Sequence, residues 1–356
     1  DASIILTYRC PMHCQMCNIW NNPTDPKKEI QPKDLECLPQ LKFINLTGGE
    51  PFIREDLEEF VRICFTKSPR IVISTSGWFE DRVIALAEKF PNIGIRISME
   101  GLAKKNDELR GREGGFAKGL RILKKLKEMG VKDIGFGCTV SNHNSSDMLE
   151  LYKLSKEMNM EFATATFHNS YYFHKYDNVV TNKDQVCKDF ETLVNWQLSE
   201  WHPKSWFRAF FNMGLINYIE GNRRMLPCEA GSANFFIDPF GDVFPCNGME
   251  ERYWKESMGN IHDLGQTCHS RQTLVRCGAR PTARRPKREN VEIKNTRGGR
   301  LPPLHPPPSL PQPSFHSIHL SSYESSCNRH SWHSQHSRWG RNTLRRTISS
   351  HSEIGR

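Results

Sequence analysis

Short apolar, β-branched runs alternate along the first half of the chain with stretches whose apolar residues recur at helical spacing. That alternation is the pattern of a parallel sheet whose strands are joined by crossover helices. The runs predict strands over residues 3–8, 43–47, 71–75, 93–99, 134–140 and 162–167, and the stretches between them predict helices over 54–66, 80–89, 115–129 and 146–158. Ser145 and Ser146 are placed to cap the last of these helices, and Gly130 to stop the one before it. Six strand–helix units are too few for a closed eight-stranded barrel but suit an open one. The expected fold class is therefore α/β, a partial parallel (β/α)6 TIM-like barrel.

In parallel architectures of this kind chemistry gathers at the carboxyl ends of the strands. Cys10 follows the first predicted strand, Gly48-Gly49-Glu50-Pro51 the second, Ser76-Gly77 the third, Glu100-Gly101 the fourth and Ser141 to Asn144 the fifth.

Beyond the sixth strand the pattern changes. Residues 170–227 are rich in aromatics, with helical period over 184–201 and 207–219, and lead into a segment carrying Cys228 and Cys246. After about residue 264 the chain turns to Pro, Ser, Arg and His without apolar periodicity, a composition that cannot bury enough surface to offset its ordering entropy. The expected organisation is a core domain over 1–200, a small cysteine-containing module over 201–264 and a basic, disordered tail over 265–356. No repeat of fixed period is present, which argues against a solenoid or propeller.

Charge changes the picture only once it is located. The whole chain of 356 residues carries a formal +9, but residues 265–356 hold 16 Lys and Arg against 4 Glu, a surplus of 12 that leaves −3 for residues 1–264. A nucleic-acid-binding reading therefore rests on the tail alone and lacks the aromatic interleaving and fold that would support it. No run approaches the roughly 18 apolar residues of a membrane span, and no secretion signal opens the chain. A cytoplasmic protein without membrane partners is expected. The first residues, starting at Asp1 rather than Met, already read as a buried strand, so some preceding sequence is expected to be missing.

Twelve cysteines without a secretion signal argue for reduced thiols and metal ligation rather than disulfides. Cys10, Cys14 and Cys17 place three soft ligands in one short loop directly after a strand, which suits an iron-sulfur cluster or a zinc ion. A structural zinc generally takes four protein ligands, commonly as two separated pairs; His13 could complete such a site, but no second pair lies near. Cys37, Cys64, Cys138 and Cys187 stand singly in predicted elements and read as packing residues.

The combination CxxxCxxC after the first strand and GGEP after the second resembles the radical S-adenosylmethionine (SAM) superfamily, over residues 3 to about 168. The resemblance implies a 4Fe-4S cluster on Cys10, Cys14 and Cys17 with one iron left open for SAM. It also implies reductive cleavage of SAM to a 5′-deoxyadenosyl radical, and hydrogen abstraction from a peptide or small metabolite. Gly48, Gly49, Glu50 and Pro51 would form the turn that meets the SAM amino group. Ser98 and Glu100 match the fourth-strand motif that reaches the ribose or substrate, and Asn144 a fifth-strand contact to ribose and adenine, with turn capping as the alternative for Asn144. Two positions depart from the family pattern: Met16, where an aromatic often lies beside the adenine, and Ser76, where an Asn is frequent. A low-potential electron donor, ferredoxin or flavodoxin, is implied as a partner.

Cys228 through Cys246 resembles the opening half of a SPASM or twitch module: a cysteine, a strand, a Gly-containing turn over 238–242, a strand and a second cysteine. Such modules hold auxiliary iron-sulfur clusters. The expected continuation is absent, since Cys268, Cys277 and Cys327 lack its spacing, so the tail reads as a non-native ending and an auxiliary cluster on Cys228 and Cys246 as incomplete. Phe167, Tyr171, Tyr172, Phe173 and Trp206 read either as a substrate mouth or as helix packing. The rival readings are a zinc-binding structural or interaction protein and, within the family, sugar or lipid modification.

Overall fold

The structure, a computed structural model, describes residues 1–170, 172–247 and 257–262. Eight strands form one sheet: β1 (Ala2–Ile5), β2 (Ile44–Thr47), β3 (Ile71–Thr75), β4 (Gly94–Ser98), β5 (Ile134–Val140), β6 (Glu161–Thr166), β7 (Phe235–Ile237) and β8 (Val243–Phe244), in the order β6-β5-β4-β3-β2-β1-β7-β8. The pairings from β6 through β1 to β7 are parallel, and β7–β8 is an antiparallel hairpin. The helices are α1 (Leu57–Lys67), α2 (Glu80–Lys89), α3 (Ala103–Arg110), α4 (Gly115–Glu128), α5 (Met148–Glu157), α6 (Lys183–Ser199) and α7 (Pro203–Ile219).

In a strand successive side chains point to opposite faces, and the register assigns each face its job. Ile4, Leu46, Ile73, Ile95 and Ile134 are successive partners across β1 to β5, and all are buried against the helices. Cys64, Cys138 and Cys187 lie in this core, with Cys37 packed against it, as single packing cysteines would. The opposite, concave face is polar: Ser3, Asn45, Ser74, Arg96 and Ser98. Near β1 and β7 that face carries an apolar patch, where Ile5 and Phe236 join Tyr8, Ile19 and Tyr172.

At the amino end of the strands Asp133 receives Arg70 Nε at 2.9 Å and also pairs with Arg96. Burial alone would raise its carboxyl, but the two guanidiniums outweigh it and hold Asp133 below the usual carboxylate range. A carboxylate depressed on folding stabilises above its unfolded pKa and loses that contribution as pH falls through its folded pKa. Asp133→Asn is therefore expected to lower the urea midpoint at neutral pH and to leave the acid end almost unchanged. Parallel midpoint-versus-pH curves for the two proteins would count against this role.

One expectation needs correcting. Neither Ser145 nor Ser146 caps α5: a short 3-10 turn (Ser145–Asp147) runs into the helix, and Asp147 stands at its start without a side-chain cap. The eight-residue α3 has no counterpart in the sequence reading; its AKKNDELR stretch shows no apolar repeat, and it buries only Asn106, Leu109 and Arg110. The hairpin predicted between Cys228 and Cys246 is present and continues the main sheet, since β7 pairs with β1. The tail, with Cys268, Cys277 and Cys327, lies outside the described residues, as does Tyr171.

Candidate active site

The loop after β1 carries Cys10, Cys14 and Cys17, all partly buried and all free thiols. Two backbone hydrogen bonds fix it to the end of α3, His13 N–H to Arg110 O (3.1 Å) and Gln15 N–H to Leu109 O (2.9 Å), and the Arg112 side chain just beyond the helix adds Nε to Pro11 O (2.7 Å). The helix can come this close because Gly111 ends it at φ +64°, where a Cβ would sit 2.5 Å from His13 O. Burial pushes the Cys10 and Cys17 thiols up to about 12 and raises Cys14 as well, with Arg110 opposing the rise at Cys14. Thiolates in this loop thus need a positively charged partner, which a metal centre would supply.

Gly48-Gly49-Glu50-Pro51 runs directly beside the entry to that loop. Gly49 N–H reaches Thr7 O at 2.7 Å and Glu50 N–H reaches Arg9 O at 2.9 Å. Gly48 lies at φ +156°, and a Cβ there would stand 2.6 Å from Thr7 O. Glu50 is fully buried and ties the turn to the end of β3: Oε1 accepts from Phe52 N–H (3.1 Å) and Thr75 Oγ1 (2.7 Å), and Oε2 from the backbone and hydroxyl of Ser76. Ser76, a departure from the family pattern, thus gives Glu50 two donors.

Glu100 and Asn144 join the ends of β4 and β5. Glu100 accepts from Arg110 Nη1 at 2.9 Å and from Thr139 N–H at 2.6 Å. Burial raises its carboxyl, against the pull of Arg110 and Thr139. Asn144 donates to Glu100 O (2.7 Å) and Thr139 O (2.9 Å) and accepts from Ser141 N–H (2.7 Å) and its hydroxyl. Its amide is thus used within the protein, tying Ser141 to Glu100 and Thr139, and it makes no side-chain cap to the 3-10 turn that follows it. Ser98 is partly exposed on the concave face, opposite Gly137 in the register.

Arg110 was not singled out from the sequence. It is buried, its Nε has no hydrogen-bond partner among the described residues, and burial, which would lower its pKa, is outweighed by the neighbouring Cys14, Glu100, Cys10 and Glu50, which raise it. Its partnerless Nε, buried beside two cysteines and two carboxylates, is the kind of group that a bound anion would satisfy. The only sequence signal was a basic residue at the end of a short polar stretch, which names no direction for its side chain.

Tyr172 is not a mouth residue. It is 5 % exposed, packs on Tyr8, Phe173 and Phe236, and donates its hydroxyl to Gly48 O at 2.9 Å. Cys10 and Cys17 pack against the same aromatic cluster. Trp206 is on α7, exposed beside Trp201. His13 is exposed and packs on Trp20. Among the described residues no three His, Cys, Asp or Glu side chains are gathered to hold one metal ion.

Residues 4–155 match the Radical SAM superfamily. The chain is 30% identical over 164 residues to Fe-coproporphyrin III synthase of Methanosarcina barkeri, covering 43% of this chain and 40% of that protein. It is 24% identical over 248 residues to mycofactocin maturase MftC of Mycobacterium ulcerans, covering 68% of this chain and 66% of that one. The chain thus spans less than two thirds of the length of either relative. In fold it is similar to Streptococcus suis SuiB bound to S-adenosylmethionine, with a TM-score of 0.55, 18% identity, and 77% and 67% of the two chains covered; SuiB is also solved with its precursor peptide SuiA. Residues 4–155 thus match a radical SAM superfamily domain, and the three-cysteine loop and the Gly48–Pro51 turn lie inside the matched stretch.

Proposed function

We propose that this chain is an enzyme that binds a 4Fe-4S cluster through Cys10, Cys14 and Cys17 and uses SAM to modify a peptide or small metabolite. The observation that carries the reading is the meeting of three loop thiols, the Gly48–Pro51 turn and the partnerless Arg110 Nε at the carboxyl end of one parallel sheet. When bound, the cluster and SAM supply one-electron reductive cleavage and hydrogen abstraction. The chain's own residues bind and orient. The turn at 48–51 offers backbone polar groups to the SAM amino group, Arg110 Nε takes its carboxylate, and Ser98 takes a ribose hydroxyl. Glu100 and Asn144 fix the strand ends on which those groups stand. Tyr172 and its aromatic neighbours exclude water from one side of the cysteine loop.

A peptide substrate is supported by relatives named for maturation and by SuiB's precursor-peptide complex; sugar or lipid modification is the alternative within the class. A ferredoxin or flavodoxin would supply the electron. We read residues 201–264 as a partial SPASM-like module, with Cys228 exposed and Cys246 partly buried as the remaining candidates for an auxiliary cluster. No helix among the described residues is long and apolar enough to cross a membrane, and we place the enzyme in the cytoplasm. The test is anaerobic reconstitution, dithionite reduction and incubation with SAM. Wild type is expected to form 5′-deoxyadenosine and Cys14→Ala to form none. Stoichiometric zinc without acid-labile sulfide in anaerobically isolated wild type would favour the zinc-binding reading instead.

A further inference from the structure

The cysteine loop has a neck. Its two ends meet where Thr7 Oγ1 and Thr24 Oγ1 lie 3.3 Å apart, and both hydroxyls donate to Glu29 Oε1 at 2.5 Å. With their protons turned to Glu29, the hydroxyls present lone pairs to the backbone. Thr24 Oγ1 accepts from Tyr8 N–H and Thr7 Oγ1 from Arg9 N–H, each at 3.0 Å. Tyr8 and Arg9 are the two residues before Cys10.

Glu29 binds two more groups around the same loop. Arg9 Nε reaches Oε1 at 3.0 Å and Arg9 Nη2 reaches Oε2 at 2.7 Å. Arg54 Nη1, three residues after the Gly48–Pro51 turn, reaches Oε2 at 3.0 Å and also donates to Leu6 O at 2.9 Å. The Glu29 side chain is 1% exposed. Five donors therefore converge on one carboxylate from three parts of the chain, and only an acceptor-only group can meet them all. A glutamine would turn one end of the side chain into a donor facing donors.

We propose that Glu29 is a positioning residue for the cysteine loop: it closes the neck and sets the backbone entering Cys10, so that retention of a cluster on the loop depends on its carboxylate. The second half of the proposal rests on the reading of Cys10, Cys14 and Cys17 as cluster ligands; the first half does not.

Hydrogen–deuterium exchange on the metal-free full chain reads the neck, and iron loss to a chelator after anaerobic reconstitution reads retention. In Glu29→Gln the Tyr8 and Arg9 amides are expected to exchange at least about tenfold faster while β4 and β5 amides stay unchanged, and iron is expected to leave about tenfold faster. Thr24→Val keeps shape but removes the acceptor for Tyr8 N–H. It should speed Tyr8 and leave Arg9 unaffected, and it decides the question if Glu29→Gln does not fold. Wild-type exchange at Tyr8 and Arg9, or faster exchange spread equally across the sheet, overturns the proposal. A wild-type chain that takes up no iron overturns the proposed function and the retention half, and the exchange data still decide the neck.

Discussion

Arg110→Met should lower folding stability by about 3–5 kcal/mol, the usual cost of breaking a buried ion pair by removing one partner. The loss comes from what is left behind. Glu100 is 3% exposed, and without Arg110 its buried carboxylate keeps a single donor among the described residues, Thr139 N–H. Burial already raises the Glu100 carboxyl, and removing the cation raises it further. A folded-state pKa above the unfolded one adds stability as pH falls, so the variant's deficit should shrink in acid. Glu100→Gln combined with Arg110→Met should recover most of the loss, because the buried charge is then gone. Urea midpoints of the two single variants and the double variant at two pH values test this; a double variant as unstable as the two single losses added together would contradict it.

Gly49→Ala is the second large effect. An added Cβ would stand 2.4 Å from Arg9 O, 2.7 Å from Tyr8 O and 2.8 Å from the Arg9 carbonyl carbon, all of it backbone that cannot rotate aside. The strand extension must open, weakening the bonds from Gly49 N–H to Thr7 O and from Glu50 N–H to Arg9 O. Overpacking of this kind costs about 1–3 kcal/mol or more, a fall in Tm of roughly 2–4 °C per kcal/mol for a chain of this size. Because the residues displaced lead into Cys10, metal uptake should fall together with Tm. A variant with wild-type Tm and wild-type iron content would show that the close approach carries no weight.

Most of the scaffold was legible because burial on one face makes β-branched runs stand out. β3 and β5 have the bounds their apolar runs predict, and α2 those of its helical repeat. The cysteine loop and the Gly48–Pro51 turn were legible for a different reason: each is a local motif whose residue types carry the chemistry. What stayed hidden is contact made at long range. Arg110 is ordinary in sequence, and its importance comes from α3, a helix without apolar period that folds its last turn onto Pro11 to Gln15. Glu29 is likewise one acidic residue in a polar stretch until Thr7, Arg9, Thr24 and Arg54 converge on it. Asn144 was read as a SAM contact or a turn cap, and its four hydrogen bonds instead tie the ends of β4 and β5 together, a contact that spacing alone could not show. Tyr172 was read as either a mouth residue or a packing residue, because an aromatic-rich stretch does not say which ring turns inward; it packs inward on Tyr8, Phe173 and Phe236.

The central claim is that the Cys10–Cys17 loop holds a cluster with an iron open to SAM, next to a partnerless Arg110 Nε. Electron paramagnetic resonance of the anaerobically reconstituted, dithionite-reduced chain, with and without SAM, tests it most directly. The account predicts a reduced-cluster signal whose shape changes when SAM is added, and a weaker SAM response in Arg110→Lys, which cannot reproduce the planar fork of guanidinium donors. A cluster signal that SAM leaves unchanged, or no cluster signal from correctly folded protein, would contradict it.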